Sequence, residues 1–187
     1  MSKLLLGLCG RARHGKDFTA TVIHRAFEAW NFRCFTSSVS IEVLLDAQVK
    51  GLIRPGITRA ECTRAELDIL VAHGHGGRVE DENCWILKLA ARSRGFDVAI
   101  LPGIRFPNEI SWLRANDGVI ARVKRYNADG SVFISPDRDP NDTMETCIER
   151  VLADYEITAT TGQESWLEAQ ALGLANHLLL SKMRNHG

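Results

Sequence analysis

The pattern of apolar and polar positions begins with an apolar run, "LLLGL" at residues 4–8, followed by a glycine-bearing loop and then "DFTATVIHRAFEAW". In that last stretch Phe18, Val22, Phe27 and Trp30 recur at helical spacing, which predicts strand, loop and amphipathic helix. "FRCFTSSV" predicts a short second strand. "SIEVLLDAQVKGL" predicts a helix capped by Ser40 and stopped by "IRPG". Residues 58–95 read as helix in two pieces: "TRAECTRAELDILVA" carries a capping pattern, the glycine-rich "HGHGG" breaks it, and "DENCWILKLAARSRG" resumes as far as Gly95. "DVAILPG" at 97–103 and "GVIARVKR" at 118–125 are strands on either side of a short helix in "NEISWLRAND". The first of them is almost wholly apolar, as a strand covered on both faces should be, so a parallel sheet between helices is expected. A polar, turn-rich excursion, "YNADGSVFISPDRDPND", then leads to a helix in "TMETCIERVL", a last strand "YEITAT" and a closing helix "ESWLEAQALGLANHLLLSKMR". The order predicts one α/β domain over residues 1–187.

Composition narrows this picture. With 187 residues and 45% of them apolar, the chain can bury a full core. Its 23 basic and 23 acidic residues cancel, which argues against a surface given over to nucleic acid or an anionic membrane. The five cysteines are odd in number and contain no C-x-x-C, so neither a disulfide framework nor a zinc site is expected and a reducing cytoplasm fits. The start, "MSKLLLGLCG", is too short and too soon interrupted for a signal peptide, and no window approaches a membrane span.

The chemistry lies in the first loop. Gly10-x4-Gly15-Lys16 has the spacing of a phosphate-binding loop, a pattern that chance places in a chain of this length in roughly one case in twenty. Here it falls between an apolar strand and an amphipathic helix, where glycines let successive amides converge on an anion at the helix N-terminus and Lys16 reaches the outer phosphates. The residue after the lysine is Asp17, where a hydroxyl is usual. Its carboxylate either holds Mg²⁺ or is an acid placed favourably at a helix start. Trp85 and Trp112 read as packing residues. His73 and His75, on a glycine-rich stretch without a third ligand, read as turn residues and not as a metal site.

Together "GRARHGKD", the apolar strand ending in "LPGIRFPNE" and the downstream "NDTMETCIE" and "ADYEITATTG" resemble the deoxynucleoside monophosphate kinases of bacteriophages, which are P-loop kinases. The resemblance spans nearly the whole chain and is weakest at residues 35–80. It implies a P-loop kinase three-layer sandwich, a mostly parallel sheet flanked by helices with a small lid. It further implies transfer of the γ-phosphoryl group of ATP to a deoxynucleoside monophosphate with Mg²⁺, in the cytoplasm, that of the host if the chain is phage-encoded. A homodimer is compatible with it. On the ATP side the resemblance points to Gly10, Arg11, Arg13, His14, Gly15, Lys16, Asp17 and Phe18, with Asp17 as the metal-linked acid. Arg105, just past a buried strand, is expected to hold the acceptor phosphate with Glu109 beside it, or else to be tied to Glu109 structurally. Residues 40–80 become the acceptor-binding region and 124–145 the lid, entered by Arg122, Lys124 and Arg125. The family usually carries an aspartate where this chain has Gly103. Two alternatives follow: a related kinase acting on a hydroxymethylated base in DNA, and a nucleotide-binding protein that has lost phosphoryl transfer.

Overall fold

The computed structural model describes residues 3–136, 139 and 143–184. Residues 137, 138 and 140–142 of the expected lid therefore lie outside the described residues. Two compact units are seen, Met1–Thr36 with Gly95–Gly187, and Ser37–Arg94.

The first unit is built on a five-stranded parallel sheet of β1 (Leu4–Cys9), β2 (Cys34–Thr36), β3 (Val98–Pro102), β4 (Val119–Tyr126) and β5 (Tyr155–Thr160), in the order β2-β3-β1-β4-β5. The helices of this unit are α1 (Lys16–Ala29), α5 (Pro107–Ala115), the four-residue α6 (Thr143–Thr146) and α7 (Glu164–Arg184). Alternation along the strands sends Leu6 and Leu8 of β1, Val98 and Ile100 of β3 and Ala121 and Val123 of β4 to one face. There they join Ile23 and Phe27 of α1 and Ala171 and Leu178 of α7 in the main core. The opposite face receives α5, whose Leu113 packs against Gly7 so closely that a Cβ there would push the Leu113 side chain aside. Helix, sheet and helix thus make three layers. β1 lies between β3 and β4, at the point where the strand order reverses, and both of its flanking loops open at the carboxyl edge.

The second unit is helical, with α2 (Val39–Val49), α3 (Arg64–Glu80) and α4 (Cys84–Arg92). Three expectations are corrected in the helices. The cap of α2 is Ser38, whose hydroxyl accepts the Ile41 N–H, and Ser40 lies inside the first turn with its own hydroxyl against that of Ser38. "HGHGG" does not break the helix: α3 runs through it, and His73, no turn residue, donates from Nε2 to the Asp46 carboxylate at 2.8 Å. In the first unit, "TMETCIERVL" makes only the short α6, followed by a tighter 3-10 turn at Cys147–Arg150. Trp85 is buried core, its indole N–H donating to the Gly74 carbonyl at 2.9 Å, and Trp112 is half-buried. Among the described residues no helix is long and apolar enough to cross a membrane, and no group of three His, Cys, Asp or Glu side chains converges as a metal site would.

Candidate active site

β1 delivers the chain to its carboxyl edge at Cys9, and the loop of residues 10–15 turns it into α1. Gly10 has φ 146°, and a Cβ there would run into the Val123 carbonyl oxygen of β4, so both conformation and room demand glycine. The N-cap of α1 is Gly15. It brings no side chain to the first amides of the helix, which are thereby left for an external anion.

Lys16 is the first residue of α1 and is buried, its ammonium donating to the Arg11 carbonyl at 2.6 Å across the loop. Burial, with the Arg105 guanidinium second, lowers it to about 8, while Asp17 and Glu145 oppose the fall. Four charged groups from three separate segments therefore act on one another at this turn. Asp17 itself is exposed at the start of α1, as is much of Phe18.

Not every loop side chain faces a ligand. The buried His14 ring is committed to the layer beneath: the Arg125 amide donates to Nδ1 at 3.3 Å, so the proton sits on Nε2, which donates to the Phe133 carbonyl at 2.8 Å. Burial lowers its pKa, in keeping with a neutral ring. Arg11 is ion-paired with Glu149. The three basic residues expected to enter a lid are held as well. Arg122 is largely buried and donates to the carbonyls of Val151 and Ile148. Lys124 pairs with Glu156 at 2.9 Å. Arg125 donates to Thr161 Oγ1 at 3.0 Å and lies over the Phe133 ring at 4.3 Å. The base of the excursion is an ordered hairpin in which the Asn127 N–H donates to Ser131 and the Phe133 N–H to Arg125. A cavity of about 220 Å³ lies behind the loop, lined by Gly10, Arg11 and His14, by Arg122 to Lys124 of β4, and by Val132, Ile148 and Glu149.

At the neighbouring edge β3 ends at Pro102 and the chain turns through Gly103, φ 85°, and Ile104 into Arg105. The buried Glu109 carboxylate accepts the backbone N–H groups of Arg105 at 2.9 Å and Phe106 at 3.2 Å, closing the N-terminus of α5. Glu109 thus works as a helix cap, and Pro107 at the helix start adds to the stop.

Glu145 is a site residue that no pattern in the sequence singles out. It lies in α6, is 3% exposed, and its Oε2 accepts the Ala12 N–H of the loop at 3.0 Å. No local spacing joins positions 12 and 145; only the pairing of β1 with β4, and the return of the chain after it, brings them together.

This arrangement is a three-layer α/β sandwich in which a glycine loop joins the central strand to the first helix. Solved structures similar to the chain include a candidate kinase from Chloroflexus aurantiacus, with 13% identity, 95% of this chain and 97% of that one covered, and a TM-score of 0.52. A shikimate kinase from Acinetobacter baumannii, in complex with shikimate, gives 16% identity, coverage of 98% and 94%, and a TM-score of 0.49. An APS kinase from Mycobacterium tuberculosis gives 11%, 96% and 99%, and 0.43. No family model matches the chain, and no curated protein matches it. The first of these structures carries the fold assignment, a three-layer α/β sandwich on a parallel sheet; what is transferred, and to what, must be argued from the site.

Proposed function

We propose that the chain is an ATP-dependent phosphotransferase whose acceptor is a deoxynucleoside monophosphate. The observation that supports it best is the meeting of Lys16 and Arg105 at the strand-order reversal: two cations from different strand ends, close enough for one to depress the other. Like charges converge at a cost that a doubly anionic site repays. Lys16 and the amides at the start of α1 bind the donor phosphates; to do so the ammonium leaves the Arg11 carbonyl and turns to the phosphate oxygens. Arg105 binds the phosphate of the acceptor and holds it in line.

The residues fit a magnesium ion in the sparse way usual for it, in which one or two carboxylates complete a shell otherwise made of water and substrate phosphate. Asp17, exposed beside Lys16 at the start of α1, would hold it. Bound there, the ion would neutralise charge on the transferring group. Residues 40–80 are assigned to the acceptor base and 124–145 to a lid that excludes water.

A second reading, nucleotide binding without transfer, draws on Gly103, which brings no carboxylate to the end of β3. A phosphoryl-transfer screen with labelled ATP separates the two, with all four deoxynucleoside monophosphates and double-stranded DNA offered as acceptors. Label on one or more monophosphates is expected. Label on DNA alone would move the acceptor to a base within the duplex, and label on nothing would favour the binding protein.

A further inference from the structure

Glu145 has no part in the scheme above, yet it is buried against the loop. One carboxylate oxygen, Oε2, accepts the Ala12 N–H, while Oε1 is also buried and has no hydrogen-bond partner among the described residues. A buried carboxylate half satisfied in this way is costly unless a cation balances it. The cation is Lys16, on which the Glu145 charge bears directly. The Lys16 ammonium itself donates to the Arg11 carbonyl. Bare triphosphate brings several negative charges to the same loop, and one ammonium cannot balance these and Glu145 together. Because Glu145 is shielded from water its repulsion is little screened, whereas that of the exposed Asp17 is weakened by solvent.

We propose that Glu145 is a specificity-determining residue for ligand charge: it selects the divalent-metal complex of a nucleoside triphosphate over the bare triphosphate. The proposal rests on reading residues 10–16 as the nucleotide site. A divalent ion arriving with the phosphates supplies the positive charge that Lys16 alone cannot, so the complex is admitted where the free anion is repelled. The same carboxylate ties α6 to the loop through Ala12.

The test is calorimetric titration of the full chain with ATP, once in excess Mg²⁺ and once in EDTA, for wild type, Glu145→Gln and Glu145→Ala. Glutamine keeps the size and an oxygen for the Ala12 N–H and removes the charge. Glu145→Gln should tighten binding of bare ATP at least about tenfold while changing the magnesium complex less than about threefold, the asymmetry of losing one close charge. Glu145→Ala should lose the preference as well, with both affinities lowered by loss of the tie to Ala12. Wild-type preference retained in Glu145→Gln would overturn the proposal and leave the nucleotide site standing. Failure of wild type and Glu145→Gln to bind either form would overturn the site reading and the proposal with it.

Discussion

Two turns at the carboxyl edge of the sheet, side by side and each leading from a buried strand into a helix, handle the same helix-start problem in opposite ways. The turn after β1 enters α1 through Gly15, which leaves the first amides uncapped by any side chain. The turn after β3 enters α5 under the Glu109 carboxylate, which takes up the N–H groups of Arg105 and the cap residue Phe106 just ahead of the helix, and Pro107 brings none. A helix start left open can hold an anion with its backbone; one closed by its own acid cannot, and must offer a side chain. This is why the proposed donor site is assigned to a loop and the proposed acceptor contact to Arg105. The glycines differ in the same sense. Gly10 is fixed by the Val123 carbonyl, whereas Gly103 faces open space and is required only by its positive φ.

The contrast can be broken most severely at Gly10. Gly10→Ala should cost about 4 kcal/mol, a clash with backbone added to left-handed strain, and abolish ATP binding. Gly103→Ala should cost only about 1–2 kcal/mol from its backbone conformation and leave ATP affinity in place. Thermal unfolding beside calorimetric titration reads both, and equal losses in the two variants would erase the distinction. Next in size is Arg105→Ala, expected to lower kcat/KM for the acceptor by about 3 kcal/mol with ATP affinity nearly unchanged, the scale of one charge-assisted contact to a buried anion. Loss of ATP affinity in step would place Arg105 on the donor side.

Removing the closed cap is a smaller change. Glu109→Ala should destabilise the fold by about 2 kcal/mol through two orphaned backbone N–H groups, without altering ATP affinity. A change in nucleotide affinity at unchanged stability would make Glu109 a ligand contact. The smallest effect is on pH dependence. Lys16, lowered to about 8, loses its proton as pH rises through that value, and bound phosphate would restore the proton by raising the pKa. Binding then takes up a proton above pH 8, so ATP affinity should be flat below that pH and fall about tenfold by pH 9 to 9.5. For folding alone the sign is opposite. The native state binds fewer protons than the unfolded one between about 8 and the ordinary lysine value of 10.5, so Lys16 burial costs less stability as pH climbs through that window.

What the sequence made plain was what short-range pattern controls. The all-apolar β1 and β3, the segments "YEITAT" and Glu164–Arg184, and the glycine spacing of the first loop are written in consecutive residues, and the fold places them as expected. Long-range packing decided the rest. Glycines in "HGHGG" lower helix propensity, yet Gly77 makes room for the Trp85 ring, which a Cβ would meet at 2.6 Å, so the interior selects glycine at that one position within α3. The same holds at the site. Lys16 and its loop were legible from spacing, and the Glu109 cap is local too, four residues from Arg105, whereas the commitment of His14 to Phe133 and the approach of Glu145 to Ala12 each depend on how strands far apart in sequence are laid together.

The claim on which everything else stands is that the turn of residues 10–16 is a nucleoside triphosphate site, and calorimetric titration of ATP into wild type and Lys16→Ala in the presence of Mg²⁺ tests it most directly. The account predicts saturable one-to-one binding by wild type and a loss of at least about a hundredfold in Lys16→Ala, the scale of one charge-assisted bond to phosphate, in a variant that still folds but with lower thermal stability because the buried Glu145 carboxylate has lost its cation. Equal affinity in the two proteins, or no binding by a folded wild type, would contradict it.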